Sequence, residues 1–78
     1  NNIIVLDNER RNEQIVSALQ KVITNGYDVC IWPDDVKEKD INEMIMNGMT
    51  GEEIVSIIDN NTYSGLQAEF QLSQWKRC

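Results

Sequence analysis

The sequence predicts an α/β domain: one βαβ unit with parallel strands, followed by helices. Three observations carry that reading. Two short apolar runs, at 2–7 and 27–32, flank a single amphipathic stretch at 12–25. Helical patterns then follow at 41–47, from Thr50 onward and at 64–76. A length of 78 residues allows one domain, because a chain this short buries only about 60% of the surface its unfolded form exposes.

The first run, N-I-I-V-L-D at 2–7, has four consecutive apolar residues of mostly β-branched type and no alternation, the pattern of a strand covered on both faces. Between 12 and 25, Ile15, Val16, Ala18, Leu19, Val22 and Ile23 fall in one arc at helical spacing, while Gln14, Ser17, Gln20 and Lys21 lie outside it. Asn25-Gly26 is a helix stop, and Y-D-V-C-I-W at 27–32 is the second strand, ended by Pro33. A strand, a helix and a parallel strand in one sheet require a right-handed crossover, which puts the C-terminal ends of both strands on one edge. After a charged segment at 34–40, Ile41, Met44 and Ile45 mark a short helix stopped by Gly48. Thr50-Gly51-Glu52-Glu53 is a capping box ahead of Ile54, Val55, Ile57 and Ile58. Asp59-Asn60-Asn61 breaks that helix. In the last one, Leu66 and Phe70 share one side while Ala68, Leu72 and Trp75 lie nearly opposite, so it calls for two partners. Two strands are too few for a complete parallel sheet, and the expectation is that further strands lie upstream or that another copy supplies cover.

Composition narrows the chemistry. Hydrophobic content of 41% and charged content of 26%, with one Pro and four Gly, belong to a folded chain. Thirteen acidic residues against seven basic ones leave a net charge of -6, which repels phosphate backbones and argues against a module that coats DNA irrespective of sequence. There is no histidine, which removes histidine-based zinc sites, histidine general bases and Ser-His-Asp triads from this chain. Catalysis would have to run on carboxylates. Cys30 and Cys78 are too few for a disulfide scaffold and suggest a reducing compartment. No apolar run approaches the roughly 20 residues needed to cross a bilayer, and no signal peptide opens the chain, so the expected location is the cytoplasm. The missing initiator Met suggests a segment of a longer protein.

Two constellations could carry chemistry. Asp7-Asn8-Glu9 stands where the first strand meets the loop before its helix, and ligands of open α/β sheets bind outside the carboxyl ends of the strands. Two acids at i and i+2 can turn toward one hard cation, which takes oxygen ligands and commonly uses one or two carboxylates plus waters and phosphates. The same residues also suit a solvated turn in which Asp7 or Asn8 caps the helix. Lys39-Asp40-Ile41-Asn42-Glu43 follows the second strand on the same edge. There Asp40 and Asn42 could add oxygen ligands and Lys39 could meet a phosphate, or Asp40 could simply cap the next helix. Asp34-Asp35 lacks the spacing of a calcium loop and reads as solvated. Arg10-Arg11 is the densest basic feature near this edge, and guanidinium groups suit phosphate. Met44, Met46 and Met49 read as core filler, and Cys30 as a packed thiol. No glycine-rich phosphate loop is present.

V-L-D-N-E-R-R-N at 5–12, I-W-P-D-D at 31–35, K-D-I-N-E-M-I at 39–45 and G-L-Q-A-E-F-Q-L-S-Q-W at 65–75 together resemble the C-terminal part of DNA primases of T-even-type tailed phages, over nearly the whole chain. Those proteins are similar to bacterial-type primases, with a zinc ribbon and a Toprim catalytic domain that synthesises RNA primers beside a replicative helicase. The resemblance implies that 1–61 is the C-terminal half of a Toprim domain and 62–78 a helical extension. Asp7 and Glu9 match the acidic pair of the Toprim signature, and Lys39, Asp40 and Asn42 match its K-D-x-N segment. The upstream glutamate of that signature and the zinc ribbon have no counterpart in this sequence.

By that resemblance Asp7, Glu9 and Asp40 are catalytic. Asp7, Glu9, Asp40 and Asn42 would hold Mg²⁺ or Mn²⁺, with Asp40 acting directly or through water, and Lys39 and Arg10 would contact phosphate. The implied chemistry is nucleotidyl transfer, in which a 3′ oxygen attacks the α-phosphate of an incoming ribonucleotide on a single-stranded DNA template. With part of the metal site missing, the chain is expected to be inactive alone. Three rivals stand beside this reading. Another Toprim enzyme, a nuclease or topoisomerase, would share the acids but not the C-terminal helix. A non-catalytic module would dock on a helicase or a second copy through the last two helices. A receiver-like phospho-acceptor would use Asp7, and two strands speak against it.

Overall fold

The computed structural model describes residues 2–76. Cys78, read above as one of two cysteines too few for a scaffold, lies outside the described residues. The elements run β1 (Ile3–Ile4), α1 (Glu13–Thr24), β2 (Asp28–Cys30), α2 (Ile41–Met46), α3 (Gly51–Asn60), β3 (Thr62–Tyr63) and α4 (Gly65–Trp75). The α/β class is borne out. The sheet has the order β1-β2-β3, with β1 parallel to β2 and β3 antiparallel to it. Ile3 faces Asp28 and Ile4 faces Val29 across the parallel pair, whereas Val29 faces Tyr63 and Cys30 faces Thr62 across the antiparallel one.

Successive side chains of an extended chain point to opposite faces, and this one fact builds both halves of the core. Val29 and Ile31 pack with Leu19 and Ile23 of α1 and with Ala68, Leu72 and Trp75 of α4. Cys30 and Trp32 point the other way, to Val36, Met44 of α2 and Ile54 of α3. The two faces of the sheet are thus each covered by two helices of the same chain. Fully burying a side chain the size of Leu19, Val29 or Met44 is worth about 1.5–3 kcal/mol, so the central strand with its neighbours supplies much of the folding free energy.

The helices start and stop where local chemistry requires. Asn12 Oδ1 accepts from the backbone N–H groups of Gln14 at 2.9 Å and Ile15 at 3.3 Å, so Asn12 caps α1, and neither Asp7 nor Asn8 does. α1 ends at Asn25, and Gly26 follows with φ of 84°, a conformation that other residues adopt only with strain. Asp40 Oδ1 accepts from Glu43 N–H at 2.8 Å and caps α2. The capping box of α3 is formed, with Glu53 N–H to Thr50 Oγ1 at 3.1 Å and Thr50 N–H to Glu53 Oε1 at 2.9 Å.

Three features differ from the sequence reading. The ladder-paired parts of the strands, at Ile3–Ile4 and Asp28–Cys30, are shorter than the apolar runs that announced them. Thr62–Tyr63 forms a third strand where the sequence suggests only a break between helices. Two residues are too few to show an alternation, and their strand state comes from pairing with β2. Met46 is 76% exposed, so only Met44 of the three methionines fills the core completely. Among the described residues no helix is long and apolar enough to cross a membrane.

Candidate functional site

The chain leaves the two parallel strands on the same side, and two indoles and an amide tie the emerging loops together. Trp32, buried just past β2, donates its Nε1–H to the carbonyl of Leu6 at 2.8 Å, which fixes the end of the first strand's loop to the end of the second. Asn8 donates its backbone N–H to the carbonyl of Lys39 at 2.6 Å. Its side-chain amide donates to the carbonyls of Val36 at 2.9 Å and Glu38 at 3.0 Å. Its Oδ1 accepts from Trp75 Nε1 at 3.2 Å, across 67 positions of sequence. Asn8 is the one buried polar residue among those described, and both polar atoms of its side chain are bonded, as burial demands.

This arrangement brings D-N-E and K-D-I-N onto one edge. Partial desolvation, then a hydrogen bond with Glu9 and the charges of Glu9 and Asp40, push the Asp7 carboxyl above its ordinary range, and Lys39 pulls it the other way. All four ionisable groups singled out at the two motifs are therefore electrostatic neighbours. They do not close into a cage: among the described residues no group of three or more carboxylate or thiol ligands converges on a common point. Asp40 has one carboxylate oxygen engaged as the cap of α2. Asn42 lies on the exposed side of α2 and its amide meets Met46 Sδ at 3.7 Å. Lys39 donates its backbone N–H to Glu43 Oε1 at 3.1 Å.

Arg10 lies elsewhere. Its guanidinium forms an ion pair with Asp34, donates to the carbonyls of Trp32 at 3.2 Å and Pro33 at 2.9 Å, and stands 5.7 Å from the centroid of the Trp75 ring. It borders an open cleft of about 840 Å³ shared with Glu9, Arg11, Asp34 and Lys37. Lys39 does not line that cleft, so the two residues expected to contact phosphate serve different parts of the edge. Arg11 and Lys37 are the cations that the sequence reading did not weigh for this role together. Only the loop between Pro33 and Lys39, tied to Asn8 through the Val36 and Glu38 carbonyls, brings Lys37 to the same cleft as Arg11, and no motif announces that.

No family model matches the chain. The DNA primase of Enterobacteria phage T4 is 36% identical to it over 75 residues, which are 94% of this chain and 22% of that protein. The chain therefore spans about a fifth of the length of the curated relative it matches. The resemblance read from the sequence is borne out: over almost its entire length, this chain is similar to one segment of a phage DNA primase.

Proposed function

We propose that this chain is the portion of a phage-type DNA primase that carries part of a Toprim metal edge, and that the complete enzyme makes RNA primers by cation-dependent nucleotidyl transfer. The observation that supports this reading best is the joining of the two motifs. Asn8 N–H bonds to Lys39 C=O, and Asp7 feels the charges of both Glu9 and Asp40 at the sheet edge where α/β ligands bind. A cation beside the raised Asp7 carboxyl would favour its ionised form and offset the neighbouring negative charges. Asp7 and Glu9 would hold Mg²⁺ or Mn²⁺ through oxygen, and Asp40 and Asn42 would add ligands directly or through water. The cation would supply activation of the attacking hydroxyl and offset of developing charge. The basic border at Arg11 and Lys37 suits the phosphates of a nucleotide or template strand, with Lys39 closer to the acids, whereas Arg10 would have to give up its bonds to Asp34 and the Trp32 and Pro33 carbonyls to join them.

Two or three carboxylates that do not converge make an incomplete site, so the chain alone is inactive and acquires activity only with the remaining acids of the whole protein. DNA template, ribonucleotides and a replicative helicase are partners of that whole protein. The test is titration of the chain with Mg²⁺ and Mn²⁺, followed by amide shifts, with Asp7→Asn as control. Shifts confined to 7–10 and 39–42 and lost in the variant are expected. Shifts that persist in Asp7→Asn, or that appear only at α3 and α4, would reject the metal edge.

A second reading, docking on a helicase or another copy, has its own observation: Leu66 and Phe70 of α4 are 84% and 59% exposed. Trp75, the natural first choice for disrupting such docking, is buried against Asn8 and α1 and would perturb the fold instead. Phe70→Ser is the appropriate variant, and loss of helicase capture by the full-length protein would favour this reading.

A further inference from the structure

Asp7 and Glu9 flank a residue whose side chain points into the molecule, and the group that receives it comes from the other end of the chain. Trp75 makes two separate contacts with the D-N-E-R loop: its indole N–H bonds to Asn8 Oδ1 at 3.2 Å, and its ring lies 5.7 Å from the Arg10 guanidinium carbon. These contacts fall on either side of Glu9. Trp75 itself is 4% exposed and belongs to the core formed by α1, α4 and the sheet. Asn8 Oδ1 thus reports the position of α4 to the loop, while the amide nitrogen of the same side chain reports the position of the 36–38 segment.

We infer that Asn8 and Trp75 are positioning residues for the acidic edge: α4, through the Trp75 indole, sets the placement of Asp7 and Glu9 against the Lys39–Asp40 segment. The cation part of this inference rests on the metal-edge reading; the positioning part does not. A short acidic loop has two ways to be held, by its backbone or by its side chains. Here one main-chain hydrogen bond, Asn8 N–H to Lys39 C=O, links the two motifs among the described residues. The side-chain bonds of Asn8 keep that bond in register. An amide oxygen left buried without its donor would either rotate the side chain, giving up the two carbonyl bonds, or open the loop to water.

The variant is Trp75→Phe, which keeps an aromatic ring and deletes the donor. Hydrogen exchange of the Asn8 amide decides the positioning: protection is expected to fall about tenfold in Trp75→Phe while amides of α1 and α3 keep theirs. Unchanged Asn8 protection, or a uniform loss across α1, β2 and α3, overturns it. Should Trp75→Phe fail to fold, the wild-type chain still decides, because an indole Nε1–H that exchanges as fast as free tryptophan has no partner and overturns the inference, whereas a protected one supports it. Mn²⁺ broadening of residues 7–9 and 39–40 is the second arm and is expected to need about tenfold more Mn²⁺ in the variant at equal thermal stability. Absence of broadening in wild type would reject the metal-edge reading and leave the exchange result standing on its own.

Discussion

The backbone N–H of Asn8 donates to the carbonyl of Lys39 at 2.6 Å, so the two chemistry-bearing motifs are joined through the main chain and not through the acids themselves. Asp7 and Glu9 can therefore be altered one at a time without breaking that link, whereas Asp40 also caps α2. That separation makes the following expectations measurable.

Asp7→Asn should stabilise the chain at neutral pH. The folded state raises the Asp7 carboxyl above its reference value of 3.8, so this group favours folding below that value and its contribution is lost as pH rises through the folded pKa. At pH 7 the ionised group is a liability that the amide removes. Because Asp7 is exposed, the gain is screened and should amount to no more than about 3 °C in Tm. Calorimetry at pH 7 and near pH 3 checks the sign, with the two proteins converging in acid; a less stable variant at pH 7 contradicts the account.

Asn8→Ala should cost about 3 kcal/mol, because it leaves two carbonyls and an indole donor without their partner in a buried place. Asn42→Ala, on an exposed helix face, should change stability by less than about 0.5 kcal/mol. Urea unfolding of the pair measures the contrast. Equal effects would mean that Asn8 is not the tie between the loops.

Removing the capping box tests the acid limb of stability. Thr50 donates to Glu53 and holds its carboxyl below the ordinary 4.5, so this contribution is present above that pH and is lost as pH falls through the folded pKa. Thr50→Ala should destabilise by about 1 kcal/mol at pH 7. Glu53→Gln should flatten the decline of Tm below about pH 4.5 relative to wild type. An identical acid profile in both would remove Glu53 from the explanation.

Burial pushes the Cys30 thiol up to about 12. At pH 8 almost no thiolate exists there, and Cys30 should resist an aromatic disulfide reagent until the chain unfolds, so that its labelling rate follows denaturant. Cys78→Ser removes the other thiol and isolates the measurement. Rapid labelling in native buffer would be inconsistent with Cys30 packed on Trp32, Met44 and Ile54.

How much of this could be read without coordinates varies with distance along the chain. The run at 2–7 reads as a strand covered on both faces, and its cover is only partial: Ile4 and Leu6 pack against one core cluster and Val5 against the other, while Ile3 at the edge of the sheet stays 37% exposed. The caps at Asp40 and Thr50 rest on bonds spanning three residues and were legible for that reason. The amphipathic arc from Ile15 to Ile23 likewise places Leu19 and Ile23 in the core. Leu66 and Phe70 were equally legible as a second apolar side of the last helix, and among the described residues they stay exposed.

Tertiary structure decided the rest. Thr62–Tyr63 is a strand only because Val29 and Cys30 offer it a ladder, and nothing local distinguishes it from a turn. Asn8 reads as one more polar loop residue beside two acids; its burial depends on Trp75, which lies 67 positions away. Arg10 reads as a free phosphate contact, yet Asp34 and the Trp32 and Pro33 carbonyls claim its guanidinium. By itself the sequence determined the residue types available at the edge, the periods that build the strands and helices, and the absence of histidine chemistry. Which of those residues meet was decided by packing both faces of a three-stranded sheet, because contacts between segments dozens of residues apart are selected by burial and leave no local periodicity to read.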